Sequence, residues 1–328
     1  MRLSSGLRKI IVDFNFVNFY VILFKGGGIM NRFGLHISVE KEKIKTKFGV
    51  VSIRNVKFDS TDIQNILPDI IFEDDNLKFM FQKDTFLGRD KALVLKRFLP
   101  NKNVEDITKF IIDSINSNKT FYSFLAEGML GLVFRDIYGY DLSVGIIDIN
   151  ETLTDTHTGS DACMFDKKEN VLVLGEAKFY ESFKNGMKTI ISDFLHKDIL
   201  NKLDSFKRKI EYNDDSWEIV VKNLRVDTYD LVPLSDFMQQ KIIFAGFVLH
   251  SNKIEMEEYL NSNFYDGFNV SVDDLEYNIK KSIESDYIVS NYKIFLFHLP
   301  IQDKKTLIKE IMDRASLTLD QLRGDDQS

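Results

Sequence analysis

The chain has 328 residues, 44% of them hydrophobic, and a formal net charge of −7 at pH 7. That length fits one large domain or two small ones, and the apolar content is enough for a sizeable packed core. Four prolines and few Ser/Gly tracts exclude a disordered linker or a low-complexity arm. The single cysteine, Cys163, excludes an internal disulfide framework and a cysteine-rich zinc site. We expect Cys163 to be buried and the protein to be cytoplasmic.

Residues 1–29 place basic residues before an apolar stretch, as a signal peptide does. Polar residues interrupt the apolar run, however, and no small-residue cleavage site follows it. The stretch is also too short and too polar to predict a membrane span. Lys25-Gly26-Gly27-Gly28, just before Met30, is what a purine-rich ribosome-binding site would encode if it were translated. We therefore expect Met30 to be the natural start and residues 1–29 to be an upstream extension.

Residues 30–100 alternate short apolar runs with polar turns, which predicts a small β-rich N-terminal part. A helical pattern begins near Val104, and a second surrounds Glu127. A strand is predicted over 142–149, followed by a polar loop. With the elements downstream, these patterns predict an α/β domain over residues 101–322.

Residues 161–178 predict a β-hairpin, because two apolar runs are separated by about five polar residues. Strand residues two apart share a face, so Glu176 and Lys178 should emerge side by side at a strand end. Asp161 opens the partner strand and should lie across from them. The sequence thus predicts two carboxylates and an ammonium group gathered at one point.

Downstream of the hairpin, residues 182–210 carry apolar residues at helical spacing and predict one or two amphipathic helices. The apolar runs 241–250 and 292–299 are each followed by a helical pattern. They predict further strands of a central mixed sheet, buried on both faces and flanked by helices. The polar residues 323–328 predict a frayed tail.

Basic residues concentrate directly after the hairpin. Between Lys178 and Lys209 there are eight lysines and arginines against four acids. This strip could neutralise a phosphate backbone, although a solvated helix face explains any single lysine at least as well. An acidic chain with a small basic strip predicts weak intrinsic affinity for DNA and delivery to DNA by a partner.

A helix glutamate, then an aspartate, then Glu-x-Lys on successive strands resembles the PD-(D/E)xK nuclease superfamily. The segments FLAEGMLGLVF, TGSDACMF and LGEAKFY are similar to segments of HamA-type effectors of Hachiman antiphage systems. The resemblance implies a PD-(D/E)xK nuclease-like core and a Mg²⁺- or Mn²⁺-dependent endonuclease that hydrolyses DNA. It also implies a superfamily-2 helicase partner that restrains the nuclease and releases it.

In this interpretation Asp161 and Glu176 bind the metal, with the Ala177 carbonyl as a further ligand. Glu127 binds the metal directly or through water, and Lys178 positions the hydrolytic water. The residues themselves distinguish neither DNA from RNA nor one trigger from another.

For several residues near the motif, the sequence allows two interpretations of their role. Tyr180, Lys184 and Lys188 are candidate DNA contacts, or solvated residues at the start of a helix. Asp148 is a reserve metal ligand and His157 a candidate phosphate contact, or both are ordinary polar residues of the surface. At the level of the whole protein, the main alternative is a non-catalytic adaptor with a nuclease-like fold that binds a helicase or nucleic acid. A sequence-specific restriction endonuclease would need a base-reading element, and none stands out.

Overall fold

The structure, a computed structural model, describes residues 35–39, 44–46, 49–58, 63–84, 88–96, 98–99, 123–146, 161–195, 199–227, 231–251 and 292–325. The strands in these ranges are β1 Leu35–Val39, β2 Ile44–Thr46, β3 Gly49–Phe58, β4 Asp141–Leu142, β5 Ala162–Asp166, β6 Val171–Tyr180, β7 Ile242–His250 and β8 Tyr292–Pro300. The helices are α1 Ile63–Phe72, α2 Asp74–Phe81, α3 Gly88–Lys96, α4 Ser123–Val133, α5 Phe183–Leu195, α6 Ile199–Glu211, α7 Asp214–Leu224, the one-turn α8 Leu234–Phe237 and α9 Lys304–Asp325. A π-helical turn, Phe134–Tyr138, continues α4.

The eight described strands form one sheet in the order β1-β3-β8-β7-β6-β5-β4, with β2 paired to β3 beside this path. The central pairs β3–β8, β8–β7 and β7–β6 are parallel. The pairs β1–β3, β6–β5 and β5–β4 are antiparallel. Every residue of β7 is buried, as expected of a central strand covered on both faces. The predicted α/β architecture, a mixed sheet flanked by helices, is confirmed.

Side-chain alternation along β6 assigns the two faces of the sheet. One set of its residues packs with helices α1–α4 and α9: Val171, Val173, Ala177 and Phe179. The alternate residues Leu172 and Leu174 pack with helices α5–α8. We call the first side the α4 face and the second the α6 face.

The N-terminal part differs from its prediction. Residues 35–58 contain strands, but residues 63–96 form α1–α3, so the β-rich prediction up to residue 100 is wrong there. These helices bury apolar residues such as Leu67 and Ile71 against the α4 face. Their spacing of four residues is helical rather than alternating. Because β3 pairs with β8, the N-terminal strands also extend the main sheet.

Of the strand predicted over 142–149, the structure describes residues up to 146, and these depart from the sheet early. Asp141–Leu142 form the strand, and the Ser143 N–H still donates to the Cys163 carbonyl of β5 at 2.8 Å. The backbone N–H of Ile146 then donates to the carbonyl of Met80 at 2.7 Å, and Gly145 lies against the backbone of Phe81. By Ile146, bonding to the end of α2 has thus replaced bonding to the sheet.

The later elements follow their predictions. The hairpin forms as β5 and β6, and residues 182–210 form the two helices α5 and α6. The two later apolar runs form β7 and β8, and Cys163 is buried. Helix α9 continues to Asp325, so the first residues of the predicted frayed tail are helical.

Some predictions concern residues outside the described ranges. These are the extension 1–29 and Met30, the helix near Val104, the end of the strand predicted over 142–149 with Asp148, and the loop with His157. Among the helices that the structure does describe, none has the length and apolar character needed to cross a membrane.

Candidate active site

The hairpin of β5 and β6 sets Asp161 across from Glu176. Ala162 pairs with Gly175, so the position before Ala162 lies beside the position after Gly175. The Asp161 N–H donates to the carbonyl of Gly175 at 3.0 Å, and the Ala177 N–H donates to Asp161 Oδ2 at 2.7 Å. These two hydrogen bonds therefore fix the Asp161 carboxylate immediately before the first residue of β5, beside Glu176 of β6.

Helix α4 presses closely on this point from the opposite face. A Cβ atom placed on Gly175 would lie 2.8 Å from Leu130 Cδ2 and 2.9 Å from the carbonyl oxygen of Ala162. Only glycine fits this gap between helix and strand. The glycine before Glu176 thus lets α4 pack directly beneath the acidic residues.

The Lys178 ammonium group lies among three carboxylates on the α6 face. Its Nζ lies 3.9 Å from Asp161 Oδ2 and 3.5 Å from Glu176 Oε2. The closest carboxylate belongs to Asp193 of α5, at 2.8 Å. Because Asp161 and Glu176 approach the same nitrogen, their carboxylates lie on the same side of the sheet. The structure therefore brings together the aspartate, glutamate and lysine that the sequence singled out.

A second lysine contacts the other oxygen of Glu176. Lys202 of α6 places its Nζ 2.7 Å from Glu176 Oε1. Glu176 is only 2% exposed, whereas Lys202 is 22% exposed. The buried carboxylate thus lies between two ammonium groups, one from its own strand and one from a helix.

Burial raises the pKa of Glu176 to about 7; the charge of Asp161 adds to the rise, and Lys202 and Lys178 oppose it. Burial also raises the pKa of Asp161, against the opposing effects of Lys178 and of the hydrogen bond from Ala177. Burial therefore disfavours the charged form of both carboxylates, and the neighbouring ammonium groups favour it.

The pKa of Lys178 shifts upward for a different reason. Burial by itself lowers this pKa, but the charges of Asp161, Glu176 and Asp193 outweigh burial and raise it above its usual range. Lys178 is therefore a fixed positive charge near neutral pH. As an ammonium group it can orient an anion or a water molecule.

The edge of β6 beyond Gly175 is closed by side chains. The N–H and C=O of one strand residue point to the same edge, so the Ala177 carbonyl faces the same side as its N–H, toward Asp161. Two residues further on, the Phe179 carbonyl accepts a hydrogen bond from Lys304 Nζ at 3.1 Å. The Lys304 ammonium group also lies 4.7 Å from the centre of the Phe179 ring.

Glu127 lies on α4, partly buried, one turn before Leu130. That helix packs on the α4 face, whereas Glu176 and Lys178 point to the α6 face. Glu127 would therefore have to join the other carboxylates around the end of the strand pair. Its part in a metal site stays a prediction.

The three predicted DNA contacts lie on the end of β6 and on the helix that comes directly after it. Tyr180 ends β6 on the α6 face, and Thr189 of α5 donates a hydrogen bond to its hydroxyl oxygen at 3.3 Å. Lys184 and Lys188 are one turn apart on α5 and so share a side of that helix. Lys188 is exposed and Lys184 is partly buried.

A family model described as HamA matches residues 33–315. The chain belongs to the HamA family. HamA proteins are the effectors of Hachiman defence systems, so this is a defence-associated protein. A comparison with curated proteins found no match.

Two residues of this HamA-family site were missed by the sequence analysis. Asp193 was counted only as an acid, and Lys202 only as one member of the basic strip. Both lie on amphipathic helices beside buried residues, Lys202 next to Leu203. A polar residue bordering a buried helix stripe is a weak signal, because most such residues simply face solvent.

The donor set suits a hard, hydrated cation. Mg²⁺ is usually held through one or two carboxylates and keeps several waters, so Asp161, Glu176 and the Ala177 carbonyl fit its chemistry. Within the described residues no three histidine, cysteine or acidic side chains converge as a closed metal cage. In this HamA-family chain, Asp161 and Glu176 are two carboxylates that could hold such a cation while it keeps several of its waters.

Proposed function

We propose that this chain is a Mg²⁺- or Mn²⁺-dependent endonuclease that hydrolyses phosphodiester bonds in DNA as a Hachiman effector. The observation that supports this most is the meeting of Asp161 and Glu176 at the Lys178 ammonium group. In this proposal the hairpin and the surrounding helices form a PD-(D/E)xK nuclease core.

Each residue has a defined part in the proposed reaction. Asp161 and Glu176 bind the metal, and the Ala177 carbonyl points to the edge of β6 that Asp161 occupies. A divalent cation bound there would supply an acidified water and neutralise charge on the phosphate. Lys178 provides a fixed positive charge beside that water, and Asp193 holds the lysine in place at 2.8 Å.

Regulation by a superfamily-2 helicase is part of the same proposal. The chain carries a net charge of −7, so the protein as a whole repels nucleic acid, and its basic strip is short. A partner that holds DNA near Tyr180, Lys184 and Lys188 would offset this repulsion. We therefore expect the isolated protein to cut DNA slowly at physiological salt.

A cleavage assay tests the proposal. The protein and the helicase of its own system are incubated with supercoiled plasmid, Mg²⁺ and ATP. We expect nicking or linearisation that EDTA abolishes and that Glu176→Gln reduces below detection. Glu169→Gln is the matched control, because Glu169 lies in the exposed turn of the same hairpin.

Cleavage that persists in EDTA, or full activity of the Glu176→Gln protein, would contradict the proposal. Either result would show that the acidic residues are not the reaction centre.

A non-catalytic adaptor is the second candidate function. It is favoured by one observation: both oxygens of Glu176 face lysines, so the carboxylate charge is already compensated inside the protein. Calorimetric titration with Mn²⁺ separates the two candidates. An enzyme should bind Mn²⁺ and lose the binding in Glu176→Gln, whereas an adaptor should show no Mn²⁺ binding that depends on Glu176.

A further inference from the structure

Lys202 reaches the acidic residues from a helix rather than from the sheet. Helix α6 is anchored by Leu203, Phe206 and Ile210, which are fully buried on the α6 face. From this base the Lys202 side chain extends to Glu176 Oε1 at 2.7 Å. The Lys202 side chain is 22% exposed, so it borders solvent.

The two lysines at Glu176 are held very differently. Lys178 lies within 4 Å of three carboxylates, and the closest of them belongs to another element. Lys202, in the part of the chain that the structure describes, has one carboxylate within 4 Å, that of Glu176, and a longer-range attraction to Asp161. Detaching Lys202 from Glu176 therefore breaks one ion pair, whereas detaching Lys178 breaks three.

We propose that Lys202 is an exchangeable counter-ion of Glu176, which a divalent cation displaces when it binds. This inference rests on the proposed function and adds a regulatory step to the same site. Lys202 neutralises the buried carboxylate in the metal-free protein and so preserves its geometry. It is a positioning residue, since it acts through Glu176.

Charge and space both favour the exchange. An ammonium group at 2.7 Å takes up one of the lone-pair directions of Glu176 Oε1 and places a positive charge beside any cation that binds there. The other oxygen, Oε2, faces Lys178, so a cation binding there would lie close to two positive charges. Because Lys178 is anchored by Asp193, Lys202 is the group that moves.

Mn²⁺ affinity of the full-length protein without DNA tests the inference. Free Mn²⁺ is followed by electron paramagnetic resonance at pH 8.5, above the pKa of about 7 of Glu176. Lys202→Met keeps the apolar stem and removes the competing charge, so we expect Mn²⁺ binding to tighten by about five-fold or more. Lys202→Arg keeps the charge and should stay close to the wild type.

Two further variants locate the effect. Lys209→Met is the matched control, because Lys209 lies on the same side of α6 two turns away and should leave Mn²⁺ affinity unchanged. Adding Glu176→Gln to Lys202→Met should remove the gain in affinity. Thermal unfolding verifies that each variant is folded, and Lys202→Gln replaces Lys202→Met if that variant is not.

Unchanged or weaker Mn²⁺ binding by folded Lys202→Met would overturn the inference. A gain that survives Glu176→Gln would also overturn it, because the ion would then bind elsewhere. If the wild type binds Mn²⁺ and cleaves DNA while Lys202→Met binds no tighter, only the inference fails. If no variant binds Mn²⁺, the proposed metal-dependent function fails as well.

Discussion

The two faces of β6 differ although one strand builds both. On the α4 face its residues are apolar from Val171 to Phe179. On the α6 face two leucines are followed by Glu176 and Lys178, which pair with residues of α5 and α6. The change from leucine to charged residues occurs just beyond Gly175, which pairs with the first residue of β5, Ala162. Apolar packing on the α4 face thus fixes the backbone along the whole strand. The charged residues of the α6 face, Glu176 and Lys178, occur only in the second half of β6, beyond Gly175.

This contrast predicts that substitutions on the α4 face change stability, whereas substitutions of the charged residues on the α6 face change chemistry. The two kinds of effect can be measured separately, by denaturant unfolding and by DNA cleavage.

The largest expected effect is on cleavage. Lys178→Met removes the fixed positive charge but keeps the apolar stem, and we expect the cleavage rate of the helicase complex to fall about 10²–10³-fold. Single-turnover cleavage measures the loss. Lys168→Met, in the exposed hairpin turn, is the control and should cleave normally. A Lys178→Met protein that cuts at the normal rate would remove the chemical role of this face.

Leu130→Ala should lower the stability of the protein rather than act on the cleavage chemistry. Leu130 is fully buried and packs on Gly175, so shortening it leaves a cavity beneath the strand and lowers the free energy of unfolding by roughly 2–5 kcal/mol. Urea unfolding measures the change, and Leu317→Ala, at an exposed site on α9, is the control. Loss of cleavage without loss of stability would show that the α4 face also takes part in the reaction.

The stability of Glu176→Gln relative to the wild type should depend on pH. The pKa of Glu176 is raised from 4.5 to about 7, so the folded state binds a proton more tightly than the unfolded state. This contribution is fully present below pH 4.5 and is lost as the pH rises through 7. Glutamine resembles the protonated glutamate, so the variant should gain about 2–3 kcal/mol relative to the wild type between pH 4.5 and 8.5.

Urea unfolding of both proteins at several pH values measures this difference, with Glu169→Gln, in the exposed turn of the same hairpin, as the control. A constant difference between Glu176→Gln and the wild type would mean that Glu176 is not held in a buried, proton-binding state.

The smallest expected effect concerns DNA binding. Changing both Lys184 and Lys188 to Glu should weaken DNA association roughly ten-fold at low salt without unfolding, through lost phosphate neutralisation. Fluorescence anisotropy with a labelled duplex measures the affinity. The double change of Lys305 and Lys309 to Glu, at exposed sites one turn apart on α9, is the control. Equal losses in both proteins would indicate a general charge effect.

The hairpin could be predicted because its information is local. Strand alternation and a short polar turn are enough to bring Asp161, Glu176 and Lys178 together. The central strands were also predictable, since a strand buried on both faces has to be apolar throughout.

Other parts of the structure depend on long-range packing. Residues 63–96 were misread because their apolar spacing was taken as strand-like, and the early bend after Leu142 depends on bonding to α2. Asp193 and Lys202 joined the site because α5 and α6 dock on the sheet, and nothing in their neighbouring residues shows this. Sequence thus located the two carboxylates and the lysine of the hairpin but missed the ion pairs that Asp193 and Lys202 make with them.

The closed edge of β6 has a consequence for experiments on Asp161. An uncovered strand edge invites another chain to add a strand, and here Asp161 and Lys304 occupy that edge with opposite charges. Asp161→Ala would remove a proposed ligand and also release the Ala177 N–H, so an aggregated protein could be mistaken for a catalytically dead one. Asp161→Asn keeps an oxygen acceptor for Ala177. At this position, resistance to self-association and the proposed chemistry depend on the same carboxylate.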